Sequence, residues 1–117
     1  MNQLSGYCEI DMGGQTLPFK FGTNCFALFC EMRKIEFHEI VPTGVFGSNL
    51  IARRDLYYCA YRAAQRAKGA ECISLEAFGD MLDETEGASE KLLETFLTAK
   101  FMGYTFDKLA DKGEKKN

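Results

Sequence analysis

The sequence predicts an α+β fold that is mainly α: an N-terminal β-hairpin followed by a bundle of three to five helices. Three observations carry this expectation. Residues 7–21 alternate polar and apolar side chains on either side of a glycine pair, the period-two pattern of two strands joined by a tight turn. After "FGTN" the period lengthens to that of a helix and keeps it through successive apolar runs. Glycines, prolines and cap-forming residues punctuate those runs, and no repeat or linker divides them.

In the first strand Cys8, Ile10 and Met12 share one face, and Tyr7, Glu9 and Asp11 the other. In the second, Leu17, Phe19 and Phe21 oppose Thr16, Pro18 and Lys20. Gly13 and Gly14 supply the positive φ angles of a tight turn, which Gln15 is placed to lengthen. Pro18 has no amide proton, so its donor side must face away from the partner strand. Two strands alone are marginal in water; their apolar face needs a helix of the same chain or another copy as cover.

Thr23 or Asn24 is positioned to cap the next element, the helix "CFALFCEMRK", which is apolar almost all round and therefore expected to be buried on several sides. A short helical turn then directs Ile35, Phe37 and Ile40 inward, before Pro42, Gly44 and Gly47 mark a loop containing Val41, Val45 and Phe46. Asn49 and Gly69 bracket a long helix, "LIARRDLYYCAYRAAQRAK". Its stripe of Leu56, Cys59, Ala60, Ala63 and Ala67 suits close packing, with the Tyr57 and Tyr61 hydroxyls reaching toward water. This is the expected central helix. Ser74 caps "LEAFGDMLDE", and Ser89 is the expected cap of a last helix running to Gly103 with Leu92, Leu93, Phe96, Leu97 and Phe101 on its apolar side. One domain is thus expected over 1–103, with a mobile tail over 104–117.

Composition narrows the function classes. The chain has 117 residues, 46% hydrophobic and 26% charged, with a net charge of −3. That is ordinary for a globular protein and offers no electrostatic footprint for nucleic acid. Arg53, Arg54, Arg62 and Arg66 read as a solvated helix face, and Lys112, Lys115 and Lys116 as a solubilising tail. No apolar run is long enough to span a bilayer and no leader pattern opens the sequence, so a cytoplasmic location is expected. Five cysteines without a C-x-x-C pair, set among apolar neighbours, fit reduced buried thiols.

Catalytic and metal chemistry find little purchase. His38 is the sole histidine, which removes multi-histidine metal sites. Cys25 and Cys30 lie among phenylalanines, where nothing favours a thiolate. The carboxylates Asp80, Asp83, Glu84 and Glu86 do not follow calcium-loop spacing, because Met81 and Leu82 interrupt them. The glycines form no phosphate-cradling loop. The expectation is a non-enzymatic protein without cofactor or metal that acts by binding other proteins.

The order of segments adds a family. The hairpin "IDMGGQTLPFKFG", the helix "TNCFALFCEM", the segment "KIEFHEI", the helix "LYYCAYRAAQRAKG" and the helix "SLEAFGDMLDE" follow one another in sequence. This order resembles the tail assembly chaperones of long-tailed phages and prophages, with Gly14 to Gly22, Ile35 to Ile40, Leu56 to Ala64 and Ser74 to Glu84 taking the family's positions. Ala77 stands where the family more often has a second acidic residue, and "YCAYRAAQ" where a glycine-leucine step is commoner. The resemblance implies a chaperone that binds the tape measure protein, keeps it soluble in the host cytoplasm, assists polymerisation of the major tail tube protein, self-associates, and is absent from the mature virion. Thr16, Phe19, Phe21, Phe26, Phe29, Val45 and Phe46 are the candidate protein-binding residues, because open strand edges and surplus aromatics suit partner contacts. Three alternatives stand beside this reading: cover of the same residues by the chain's own helices, a role as an adaptor or regulatory subunit of a bacterial complex, and an enzyme relying on Cys25 or Cys30, which would show rapid, selective thiol alkylation.

Overall fold

The computed structural model describes residues 5–45 and 47–109. An antiparallel hairpin, β1 (Tyr7–Met12) and β2 (Gln15–Lys20), precedes the α-helices α1 (Thr23–Arg33), α2 (Leu50–Lys68), α3 (Leu75–Glu84) and α4 (Ala88–Leu97). The fold is therefore α+β and mainly α. Phe46 and tail residues 110–117 lie outside the described residues.

The hairpin closes in two residues. Gly13 and Gly14 have φ of 57° and 82°, and Met12 pairs directly with Gln15, so Gln15 begins β2 instead of lengthening the loop. Two consecutive left-handed residues give a primed turn whose twist matches the strands. Pairing Cys8 with Phe19 and Ile10 with Leu17 gathers the apolar set on one face. On the other face Thr16 donates to Asp11 across the strands (2.6 Å) and Tyr7 donates to Glu9 (2.7 Å). The Phe21 amide donates to the Gly6 carbonyl (2.8 Å), one step beyond the ladder. Because bonded and non-bonded pairs alternate, Pro18 falls opposite Glu9 at a non-bonded position and the ladder loses no donor.

The hairpin's apolar face is covered by helices of the same chain. β2 and α1 pack on α2, while α3 and α4 reach β1. Every residue of α2 from Asp55 to Tyr61 is buried, which makes it the central helix. Its buried carboxylate, Asp55, accepts from Arg33 of α1 and from Arg54 on either oxygen, and these pairs satisfy its charge. The core is aromatic at both ends. Under α3, Tyr61 stacks on Phe78 at 5.9 Å, with Phe19 and Tyr58 against them. Beside α4, Phe26 stacks on Phe101 at 4.5 Å and meets Phe96 and Phe106.

Several local expectations are corrected by packing. Neither Thr23 nor Asn24 caps α1; Gly22 holds the cap position without a side-chain bond, because the helix starts directly behind the buried Phe21. Phe37 sits in a 3-10 turn (Phe37–Glu39) and remains 41% exposed while Ile40 is fully buried, since Phe37 packs on the outer edge of the aromatic cluster, against Phe26 and Phe106, with nothing described over its other face. Tyr61 does not reach water: its hydroxyl accepts from the Ile73 amide (2.9 Å), and Tyr58 donates to the Ile73 carbonyl (2.6 Å). Ser89 is not a cap either. α4 begins at Ala88 after a left-handed Gly87, and the Ser89 hydroxyl faces that of Tyr57 at 3.4 Å.

α4 also stops at Leu97, six residues short of Gly103. Thr98 bonds back to the Thr95 carbonyl, and a turn through Met102 and Gly103 pairs Phe101 with Tyr104. This break swings Phe101 into the core. Beyond it, within the segment expected to be a tail, residues 106–109 form a helical turn and Phe106 joins the aromatic cluster.

Candidate protein-binding surface

The residues singled out from sequence divide by position. Phe19, Phe21, Phe29 and Val45 are wholly buried and Phe26 is 4% exposed, so these five form core and cannot be an open contact surface. The reason is geometric: α2, α3 and α4 close over the hairpin face, and the Phe96–Phe106 region closes over Phe26. Thr16 alone among the described candidates lies on the outside, at the hairpin tip, bonded to Asp11.

Thiol chemistry in the core is suppressed by the same burial, whereas Cys72 is exposed and Cys30 half-buried, against the expectation of five buried thiols. Desolvation pushes Cys25 well above its ordinary range and Cys59 up to about 12, and raises Cys30 and Cys72 as well. Arg62 and Arg66 oppose the shift at Cys72 without cancelling it. Thiolate is accordingly scarce at neutral pH. Among the described residues, no three side chains of His, Cys, Asp or Glu gather as a metal site would require.

What the core leaves outside is apolar in places the sequence did not mark. Leu93 and Leu97 lie on α4 one residue beyond the buried Leu92 and Phe96, and thus occupy its outer edge. Leu50 and Ile51 form the first turn of α2 and are 66% and 57% exposed. Only the helix rotation reveals this, because all four read as core from composition.

Leu50 and Ile51 border a groove of about 490 Å³ between the start of α2, one side of α3 and the start of α4. Tyr57, Leu82 and Gly79 contribute to its lining, and Glu76, Asp80, Asp83 and Glu90 bring four carboxylates to it. The α2 side supplies Arg53 and Arg54, of which Arg54 is held by Asp55 at 2.8 Å. Caps at Asn49, which accepts from the Ala52 amide (2.9 Å), and Ser74, which accepts from Ala77 (3.1 Å), fix where the two principal walls begin. An open, partly apolar groove with charged margins is suited to recognising a protein segment.

No described helix is long and apolar enough to cross a membrane. The sequence matches no protein-family model, and it has no significant similarity to a curated protein or to a solved structure.

Proposed function

We propose that this chain is a non-enzymatic tail assembly chaperone of a long-tailed phage or prophage, binding the tape measure protein and assisting tail tube polymerisation in the host cytoplasm. The observation that carries the reading is the order of sequence segments from Gly14 to Glu84: hairpin, apolar helix, short turn, tyrosine-rich helix, acidic helix. Supporting it are the apolar side chains left outside a completed core, at Leu50, Ile51, Leu93 and Leu97, since a chaperone of an aggregation-prone client needs apolar surface that does not also hold its own fold together.

The test is co-expression. A candidate tape measure protein is produced with and without this chain, and soluble yield and co-purification are measured. Rescue with a stable complex is the expected result. Aggregation of the client regardless, beside a well-folded partner, rejects the chaperone role and favours an adaptor.

A further inference from the structure

The α2–α3–α4 groove combines four features that together specify an occupant. Its border is apolar: Leu50 and Ile51 project from α2, with half-buried Leu82 facing them from α3. Its charge is unbalanced. Glu76, Asp80, Asp83 and Glu90 have no ion-pair partner among the described residues, whose pairs are Arg33–Asp55 and Arg54–Asp55. Residues 71–90 hold seven carboxylates and no lysine or arginine.

The third feature is a local conflict. α3 places Asp83 and Glu84 in its last turn with no basic residue there, although the helix dipole disfavours negative charge at that end. The fourth is Gly79, inside α3 and on the groove. Its φ is not left-handed, and an added Cβ would meet only the Arg54 Cδ at an ordinary 3.5 Å. The backbone therefore does not require glycine, which weakens a helix by roughly 1 kcal/mol against alanine. Its effect is to keep the wall of the groove low.

We infer that this groove receives a partner helix whose apolar stripe is flanked by lysine or arginine. On the chaperone reading, on which this identification rests, that helix belongs to the client. α3 is 10 residues long, about 15 Å, which matches two to three turns of a docked helix and two or three apolar anchors at i, i+3 or i+4, and i+7. The unpaired carboxylates then meet cations across the margin, and the charge at the end of α3 gains the partner it lacks within the chain.

The full chain is titrated by fluorescence anisotropy against three labelled synthetic helices of equal length: a leucine stripe flanked by lysines, the same stripe flanked by glutamates, and a scrambled peptide of the leucine–lysine composition. The first should bind at least about tenfold more tightly than either other. The Asp80→Lys/Asp83→Lys pair should invert the preference between lysine and glutamate peptides while melting no lower than the parent, because it relieves the helix end. The Leu50→Ser/Ile51→Ser pair, at exposed positions, should weaken binding about tenfold without changing the melt. Equal binding of the scrambled peptide, absence of saturable binding, or indifference to both pairs overturns the assignment. Self-association that these pairs abolish, without peptide binding, gives the groove to a second copy and also overturns it. Client rescue that survives both pairs leaves the chaperone reading in place and removes the groove from it; failure of rescue by the unaltered chain removes the chaperone reading, while the peptide titration still decides the groove.

Discussion

Replacing Phe26 by alanine should destabilise the fold by about 4 kcal/mol. The ring is 4% exposed and lies between Phe101, stacked at 4.5 Å, Phe106 at 5.5 Å, Phe37 at 5.6 Å and Phe96 at 6.0 Å. Returning about 150 Å² of buried aromatic surface to water at ~25 cal/mol/Å² accounts for ~4 kcal/mol. Since the cluster is drawn from four separate segments of the chain, it cannot close on the vacated space without moving α1 against α4. In urea, with a slope of about 1.5 kcal/mol/M, the midpoint should fall by roughly 2–3 M. The control is Leu97→Ala: this side chain is 65% exposed, and its removal should shift stability by no more than about 0.5 kcal/mol. Three equilibrium urea titrations followed by circular dichroism, of the parent and the two variants, suffice. A Phe26→Ala midpoint within about 0.5 M of the parent would refute the reasoning. It would mean that the ring is not enclosed by its own chain, and Phe26 would return to the list of contact residues.

Other consequences are equally direct. Tyr61→Phe should cost about 1–2 kcal/mol, because the Ile73 amide loses its acceptor in a partly buried place; faster hydrogen exchange at Ile73 is the specific sign, and unchanged exchange would count against the bond. Gly6→Ala should cost more than about 2 kcal/mol, since Gly6 has φ of 75° and a Cβ there would lie 2.6 Å from the Phe21 carbonyl oxygen and 2.7 Å from the Ala99 Cβ; a neutral melt would contradict this. Stability should fall with alkaline pH through the thiols. Burial raises Cys59 to about 12, so its contribution is complete below the unfolded thiol value of ~8.5 and is lost as pH rises toward the folded one. Cys59→Ala should flatten the slope between those limits whatever it does to stability at neutral pH, and an unaltered slope would reject the assignment.

How much was legible in the sequence depended on how local the cause was. The hairpin turn was readable because Gly13 and Gly14 determine it through their own φ angles. Asn49, Gly69 and Ser74 were readable as helix ends for the same reason: a cap acts within three residues of itself. Thr23 and Ser89 have the same chemistry and do not cap, since the packing of Phe21 and the left-handed Gly87 moved the helix starts. The candidate surface was the least legible part. Phe19, Phe26 and Phe29 were singled out for being aromatic, and aromatic side chains are also the first that a small core takes in. Leu50, Ile51 and Gly79 carried no such signal, because their significance lies in facing a groove that three helices form together.

By itself, then, the sequence determined the strands, their register-setting turn, the central helix between Asn49 and Gly69, and the acidic character of residues 71–90, all of which follow from side-chain period, local hydrogen bonding and charge. Only the tertiary structure decided which apolar residues were enclosed. It ended α4 at Leu97 so that Phe101 turned inward to stack on Phe26, and it left Leu97 and Ile51 outside although their composition matched the core. The physical reason is that burial belongs to a pair of packed surfaces: periodicity gives the face a residue shares, and only the position of the neighbouring element determines whether that face meets protein or water.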